Sequence, residues 1–111
     1  MEKTQQFIQS NKQKFVDELF ALLRIPSVSA DANFQQDVAA CAQHLATHFQ
    51  AIGLDSVEVI HTAGHPIVYA EKIIDTSLPT ILVYGHYDVQ PADPFELWHS
   101  PAFEPVIKQT A

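Results

Sequence analysis

Two stretches of the chain repeat apolar residues at the three- and four-residue steps of an amphipathic helix. The first covers Glu2–Leu23, and Pro26 forces it to end because proline cannot continue a helix. The second covers about Phe34–Ile52, with Asn33 as its predicted N-terminal cap and Gly53 at its C-terminal end. Its apolar stripe consists of Phe34, Val38, Cys41, Leu45, Phe49 and Ile52.

After Gly53 the pattern changes to short β-branched runs. Residues 56–61 and 67–72 are typical of a hairpin with a loop of about five residues. Residues 80–85 are continuously apolar, which predicts a strand buried on both faces at the centre of a sheet. The expected fold is α/β, with two helices on a mixed sheet, a hairpin and a central buried strand.

Such a central strand needs a layer of structure on each side, and the pattern provides no helix after it. Beyond the strand, four prolines interrupt an extended segment whose expected apolar anchors are Phe95, Leu97, Trp98 and Phe103. We therefore expect residues 1–111 to be one incomplete domain.

Charge and cysteine content indicate which partners and which compartment to expect. The 111 residues carry a net charge of −7, and the lysines and arginine are scattered singly, which disfavours nucleic acids and anionic membranes as partners. The single Cys41 excludes an intrachain disulfide and favours the reducing cytoplasm. We expect no signal peptide, because the polar N-terminus lacks an apolar stretch of about 7–15 residues, and no membrane span, because no apolar run approaches about 18 residues.

The residues after the predicted central strand carry the chemistry. His86 and Asp88 are two apart, so in extended backbone they point the same way. A carboxylate can hold one imidazole N–H while the other nitrogen binds a metal. Spacing alone leaves a second interpretation open, in which His86 is a hydrogen-bonded histidine at a strand end.

A wider string surrounds these two residues. It is Gly85-His86-Tyr87-Asp88-Val89-Gln90-Pro91, followed by Trp98, Ser100-Pro101, Phe103-Glu104-Pro105 and Val106-Ile107. This string resembles a family of di-zinc exopeptidases and deacylases, and the opening helix and loop, Leu22 to Ser29, are similar to that family as well. The family includes acetylornithine deacetylase, succinyl-diaminopimelate desuccinylase, carboxypeptidase G and, with the most similar string, the carnosinase-like dipeptidases.

The resemblance implies a mechanism and its residues. His86 matches a ligand to one of two zinc ions, and Asp88 matches the active-site carboxylate that orients the imidazole. In the family a metal-bound hydroxide attacks the peptide or amide bond of a dipeptide or N-acyl amino acid. The bridging aspartate, the Glu-Glu pair and the other ligands do not occur in this sequence, which holds at most one zinc ligand. Family dimers form through a later inserted domain, so a homodimer would need segments absent here.

We do not expect the other candidate residues to bind a metal or to take part in catalysis. His44 and His48 have the spacing of a helical zinc pair, but position 45 is leucine where a zincin has glutamate. Cys41 lies in the apolar stripe, where a buried inert thiol is usual. The remaining candidates, to which we assign no catalytic role, are His61 and His65 beside the hairpin loop, His99 in the tail, and Asp93 and Glu96.

Two hypotheses follow from the sequence. The first is that the chain is the N-terminal fragment of a zinc-dependent dipeptidase or related metallohydrolase and is inactive alone. The alternative is a small non-catalytic α/β binding or interaction domain, acting through an exposed sheet edge and the apolar tail.

Overall fold

The computed structural model describes residues 1–109. Residues 26–91 form one compact unit, and residues 1–25 with the described residues from Ala92 onward form another. Among the described residues, no helix combines the length and apolar character needed to cross a membrane. The elements are α1 (Glu2–Leu23), a 3₁₀ turn (Ala32–Phe34), α2 (Gln35–Ala51), β1 (Ser56–Ile60), β2 (Ile67–Glu71) and a second 3₁₀ turn (Phe95–Leu97).

The first helix has the predicted bounds. Its last turn closes where the Arg24 N–H donates to the Phe20 carbonyl at 3.1 Å, two residues before Pro26. No residue of α1 is buried. In the same unit, three of the expected tail anchors are more than half exposed, namely Phe95, Leu97 and Trp98.

The second helix is confirmed, but its N-terminal cap differs from the prediction. The carboxylate of Asp31 accepts from the Asn33 N–H at 2.9 Å and caps a 3₁₀ turn that leads into α2. The cap therefore lies two residues earlier than predicted, because the chain first makes this tighter turn. At the other end Gly53 has a φ of +88°, and its N–H bonds the Gln50 carbonyl at 3.0 Å, as expected of a C-terminal glycine.

The hairpin is confirmed and carries the second helix on one face. β1 and β2 pair antiparallel, with Ser56 opposite Glu71 and Ile60 opposite Ile67. Half-buried and exposed residues alternate along both strands, as in a sheet covered on one side only. α2 packs against both strands. The buried core of this unit consists of Ser27, Val28, Val38, Cys41, Ala42 and Ala46.

The prediction of a buried central strand at residues 80–85 is wrong for this chain. These residues belong to no strand, and the sheet that the structure describes is the two-stranded hairpin. The side chains of Ile81, Leu82, Val83 and Tyr84 are between 86% and 91% exposed. A run that is apolar on both faces is buried only between neighbouring strands and covering layers, and the described residues supply neither.

Candidate functional site

His86 and Asp88 lie together, as their spacing predicts. The Nδ1 atom of His86 is 3.0 Å from the Oδ1 atom of Asp88 and 3.0 Å from the Asp88 carbonyl oxygen. Both neighbours are acceptors, so Nδ1 must carry a proton and donate it. In the neutral ring this tautomer leaves the lone pair on Nε2, which is the atom that would bind a metal ion.

The pair lies at the protein surface. The side chain of His86 is 77% exposed and that of Asp88 is 42% exposed. The pKa of the Asp88 carboxyl is lowered, first by a hydrogen bond from Ser29 and to a smaller extent by His86, while partial burial opposes the shift. Asp88 is therefore held as the carboxylate that can accept from the imidazole.

Sequence reasoning missed the loop that holds this pair. The Ser29 hydroxyl donates to Asp88 Oδ2 at 2.5 Å, and the Ser27 hydroxyl donates to the Tyr87 carbonyl at 2.8 Å. A parallel bridge between Val28 and Val89 joins the two segments. The signal for these contacts was the alternation of residues 26–29 after a proline, which presents every second side chain to one side.

Tyr87 anchors the site segment to the rest of the unit. Its hydroxyl donates to the Pro66 carbonyl at 2.5 Å, and its own carbonyl lies 3.8 Å from the Cys41 sulfur. Burial is the main cause that raises the pKa of Tyr87, and burial likewise raises the pKa of the Cys41 thiol. Both groups are therefore kept neutral. The inert, buried thiol that the sequence predicts is what the structure contains, at 1% exposure.

The other histidines make no competing site. His44 and His48 are half-buried on α2, and His99 is exposed. The Nε2 atom of His65 lies 2.9 Å from the Ser29 carbonyl oxygen, so that nitrogen carries a proton and donates it to this carbonyl. Within residues 1–109, no three His, Cys, Asp or Glu side chains are grouped so as to hold a metal ion. His86 thus fits a metal as a single ligand with its carboxylate partner in place.

Comparison with known proteins places this arrangement in context. No family model matches the chain. The sequence is 31% identical to the Cys-Gly metallodipeptidase DUG1 of Candida albicans over 86% of this chain and 22% of that protein. It is 31% identical to the corresponding protein of Schizosaccharomyces pombe over 93% of this chain and 24% of that protein. A succinyl-diaminopimelate desuccinylase of Dechloromonas aromatica is 31% identical over 73% of this chain and 21% of that protein.

A solved structure agrees with the sequence comparison. The dipeptidase Dug1p of Saccharomyces cerevisiae superposes with a TM-score of 0.84 and 30% sequence identity, over 93% of this chain and 24% of that chain. The chain therefore spans about a quarter of the length of the proteins it matches. Since fold and sequence agree over nearly all of its length, the comparisons confirm the resemblance of this chain to part of the Cys-Gly metallodipeptidases and succinyl-diaminopimelate desuccinylases.

Proposed function

We propose that this chain contributes part of the catalytic centre of a cytosolic, zinc-dependent dipeptidase. The observation that carries the proposal is the contact between His86 Nδ1 and Asp88 Oδ1, which leaves the lone pair of the neutral ring on Nε2. The relatives are named as metallodipeptidases and a desuccinylase, so dipeptides or N-acyl amino acids are the proposed substrate class. The lone buried thiol of Cys41 suits a reducing compartment.

The roles of the two residues follow from their contacts. His86 would hold one zinc ion through Nε2, while Asp88 keeps the proton on Nδ1 and so raises the basicity of the ligating nitrogen. When bound, zinc would activate water and polarise the carbonyl of the bond to be cleaved. Tyr87, half-buried between these two residues in sequence, ties the segment to the hairpin loop through its hydrogen bond to the Pro66 carbonyl.

One imidazole does not make a catalytic zinc site. Such a site uses about three protein ligands and an open position, and the described residues contain no group of three. We therefore expect the chain alone to leave Cys-Gly dipeptide intact in the presence of zinc. Hydrolysis by the pure chain that disappears in His86→Gln would contradict this expectation and place the whole centre within the chain.

Metal binding itself can be tested at His86. Small additions of Co²⁺, a paramagnetic substitute for zinc, broaden the NMR signals of amides close to the ion. We expect the broadening to centre on Tyr87–Val89 and on Ser29, to vanish in His86→Gln and to persist in His44→Gln. Broadening that centres on α2 or on His61, and survives in His86→Gln, would refute the proposed ligand.

A second candidate function rests on a different observation. The apolar run at residues 81–84 is almost fully exposed, which is the kind of surface that marks a binding site in a stable protein. A non-catalytic interaction domain would use it. A soluble monomer with a cooperative melt and no Co²⁺ response at His86 would favour this candidate, whereas broadening centred on His86 favours the dipeptidase.

A further inference from the structure

Three hydrogen bonds join the loop at residues 26–29 to the site segment at residues 87–89. The Ser27 hydroxyl donates to the Tyr87 carbonyl at 2.8 Å, and the Val89 N–H donates to the Ser27 carbonyl at 3.0 Å. These two bonds fix the backbone of the segment. The third, from the Ser29 hydroxyl to Asp88 Oδ2 at 2.5 Å, reaches a side chain of the site instead.

The contact from Ser29 determines how Asp88 faces the imidazole. Oδ2 accepts from Ser29 at 2.5 Å, and Oδ1 lies 3.0 Å from His86 Nδ1, so each carboxylate oxygen has its own partner. Rotation about the Cβ–Cγ bond of aspartate is otherwise broad, with no strongly preferred angle. Without the hydroxyl, the carboxylate of this partly exposed residue would turn toward water for part of the time.

Ser29 is itself held in place. It follows Val28, which is 2% exposed, and its carbonyl oxygen lies 2.9 Å from His65 Nε2 in the loop between β1 and β2. The hydroxyl is therefore presented from a backbone that is fixed on both sides. The same loop carries Pro66, whose carbonyl accepts from Tyr87, so one hairpin loop supports both halves of the arrangement.

We propose that Ser29 is a positioning residue of the metal site, acting through Asp88 to hold His86 in the tautomer whose Nε2 binds the ion. The inference rests on the proposed function of His86 as a metal ligand. The effect of Ser29 on the tautomer of His86 can still be tested separately, because the tautomer is a property of the metal-free chain. Ser29 touches neither metal nor substrate, and its effect is carried by two hydrogen bonds in series.

The test is the tautomer of His86, measured by the ¹⁵N shifts of its ring in the metal-free 111-residue chain at a pH of about 8, where histidine side chains are usually neutral. Comparison with His86→Gln assigns the signals. In Ser29→Ala we expect the ratio of the Nδ1–H to the Nε2–H form to fall about fivefold, less than the full loss of a hydrogen bond to a charged group implies, because the Asp88 carbonyl oxygen still accepts from Nδ1. Zinc affinity at His86 should fall as well, by at most about fivefold, because it follows the fraction of the ring in the Nδ1–H form.

Two further variants keep the test decisive. Ser29→Thr retains the hydroxyl and should restore the tautomer ratio. Ser77→Ala removes a matched contact, since the Ser77 hydroxyl donates to Asp75 at 2.7 Å in an exposed turn, and should leave His86 unchanged. Unaltered backbone amide shifts in α2 show that each variant is folded.

The outcomes separate the two proposals. A tautomer ratio that is equal in wild type and in a folded Ser29→Ala chain overturns the positioning role. If Ser29→Ala is unfolded, a Ser29→Thr chain that is folded but lacks the Nδ1–H form overturns it as well. A ratio that falls in Ser29→Ala while wild-type His86 shows no response to zinc supports the positioning contact and refutes the ligand role.

Discussion

The same Val→Ala substitution at two positions distinguishes the buried core from the exposed apolar run at residues 80–85. Val38 on α2 is 0% exposed, whereas Val83 is 86% exposed. Each Val→Ala substitution removes two methyl groups. We expect Val38→Ala to destabilise the unit of residues 26–91 strongly and Val83→Ala to leave it nearly unchanged.

The magnitude follows from burial. Each buried carbon removed costs about 0.8 kcal/mol in transfer free energy, and the cavity that remains adds to this cost. For Val38→Ala the free energy of unfolding should therefore fall by about 2–3 kcal/mol. For Val83→Ala the change should stay within about 0.5 kcal/mol, as for other surface substitutions.

Cys41 provides the assay. It is the only thiol in the chain, it is 1% exposed, and it lies one helical turn from Val38. A chromogenic disulfide reagent therefore reacts with it only when the core around α2 opens. Across a series of urea concentrations, the midpoint of reaction should shift down by about 1–3 M in Val38→Ala, given a slope of about 1–2 kcal/mol per M for a unit of this size.

One result would refute this reasoning. If Val83→Ala shifts the midpoint as far as Val38→Ala does, the run at residues 80–85 is buried in solution, and the single hairpin does not describe the sheet. Light scattering at several protein concentrations would then show whether the burial arises between copies. A midpoint that moves only in Val38→Ala confirms that the core lies under α2.

Three further predictions concern single residues. An added Cβ would meet nothing within 4 Å at either Gly53 or Gly85, so only the backbone conformation distinguishes the two positions. Gly53 has a φ of +88°, so Gly53→Ala should lower the free energy of unfolding by about 1 kcal/mol, whereas Gly85→Ala should be neutral. Urea midpoints check both variants. Tyr87→Phe removes the hydrogen bond to the Pro66 carbonyl and should cost about 1 kcal/mol, whereas Tyr84→Phe, at a 91% exposed position, should cost nothing. Equal urea midpoints for the two variants would contradict the part-buried contact of Tyr87. The pKa of Asp88 in the folded chain lies below its ordinary value of 3.8. Its contribution to stability is therefore present above about pH 4 and is lost as the pH falls through the folded pKa. Wild type and Asp88→Asn should differ in urea midpoint at neutral pH and converge in acid.

The sequence determined the local elements because their causes are local. Three- and four-residue spacing predicted both helices, and Pro26 and Gly53 predicted where they end. Two β-branched runs separated by a short loop predicted the hairpin to within one residue at each strand end. The spacing of His86 and Asp88 predicted that their side chains meet, since alternate residues of extended backbone share a side.

Tertiary structure decided what surrounds those elements. Residues 80–85 have the composition of a central strand, yet burial depends on partner strands and covering layers, which no local pattern contains. The contact between Ser29 and Asp88 joins residues that are 59 positions apart, so only the folded chain brings them together. The sequence therefore identified the histidine and its carboxylate, whereas the serine that holds the carboxylate depends on how the loop at residues 26–29 lies beside the site.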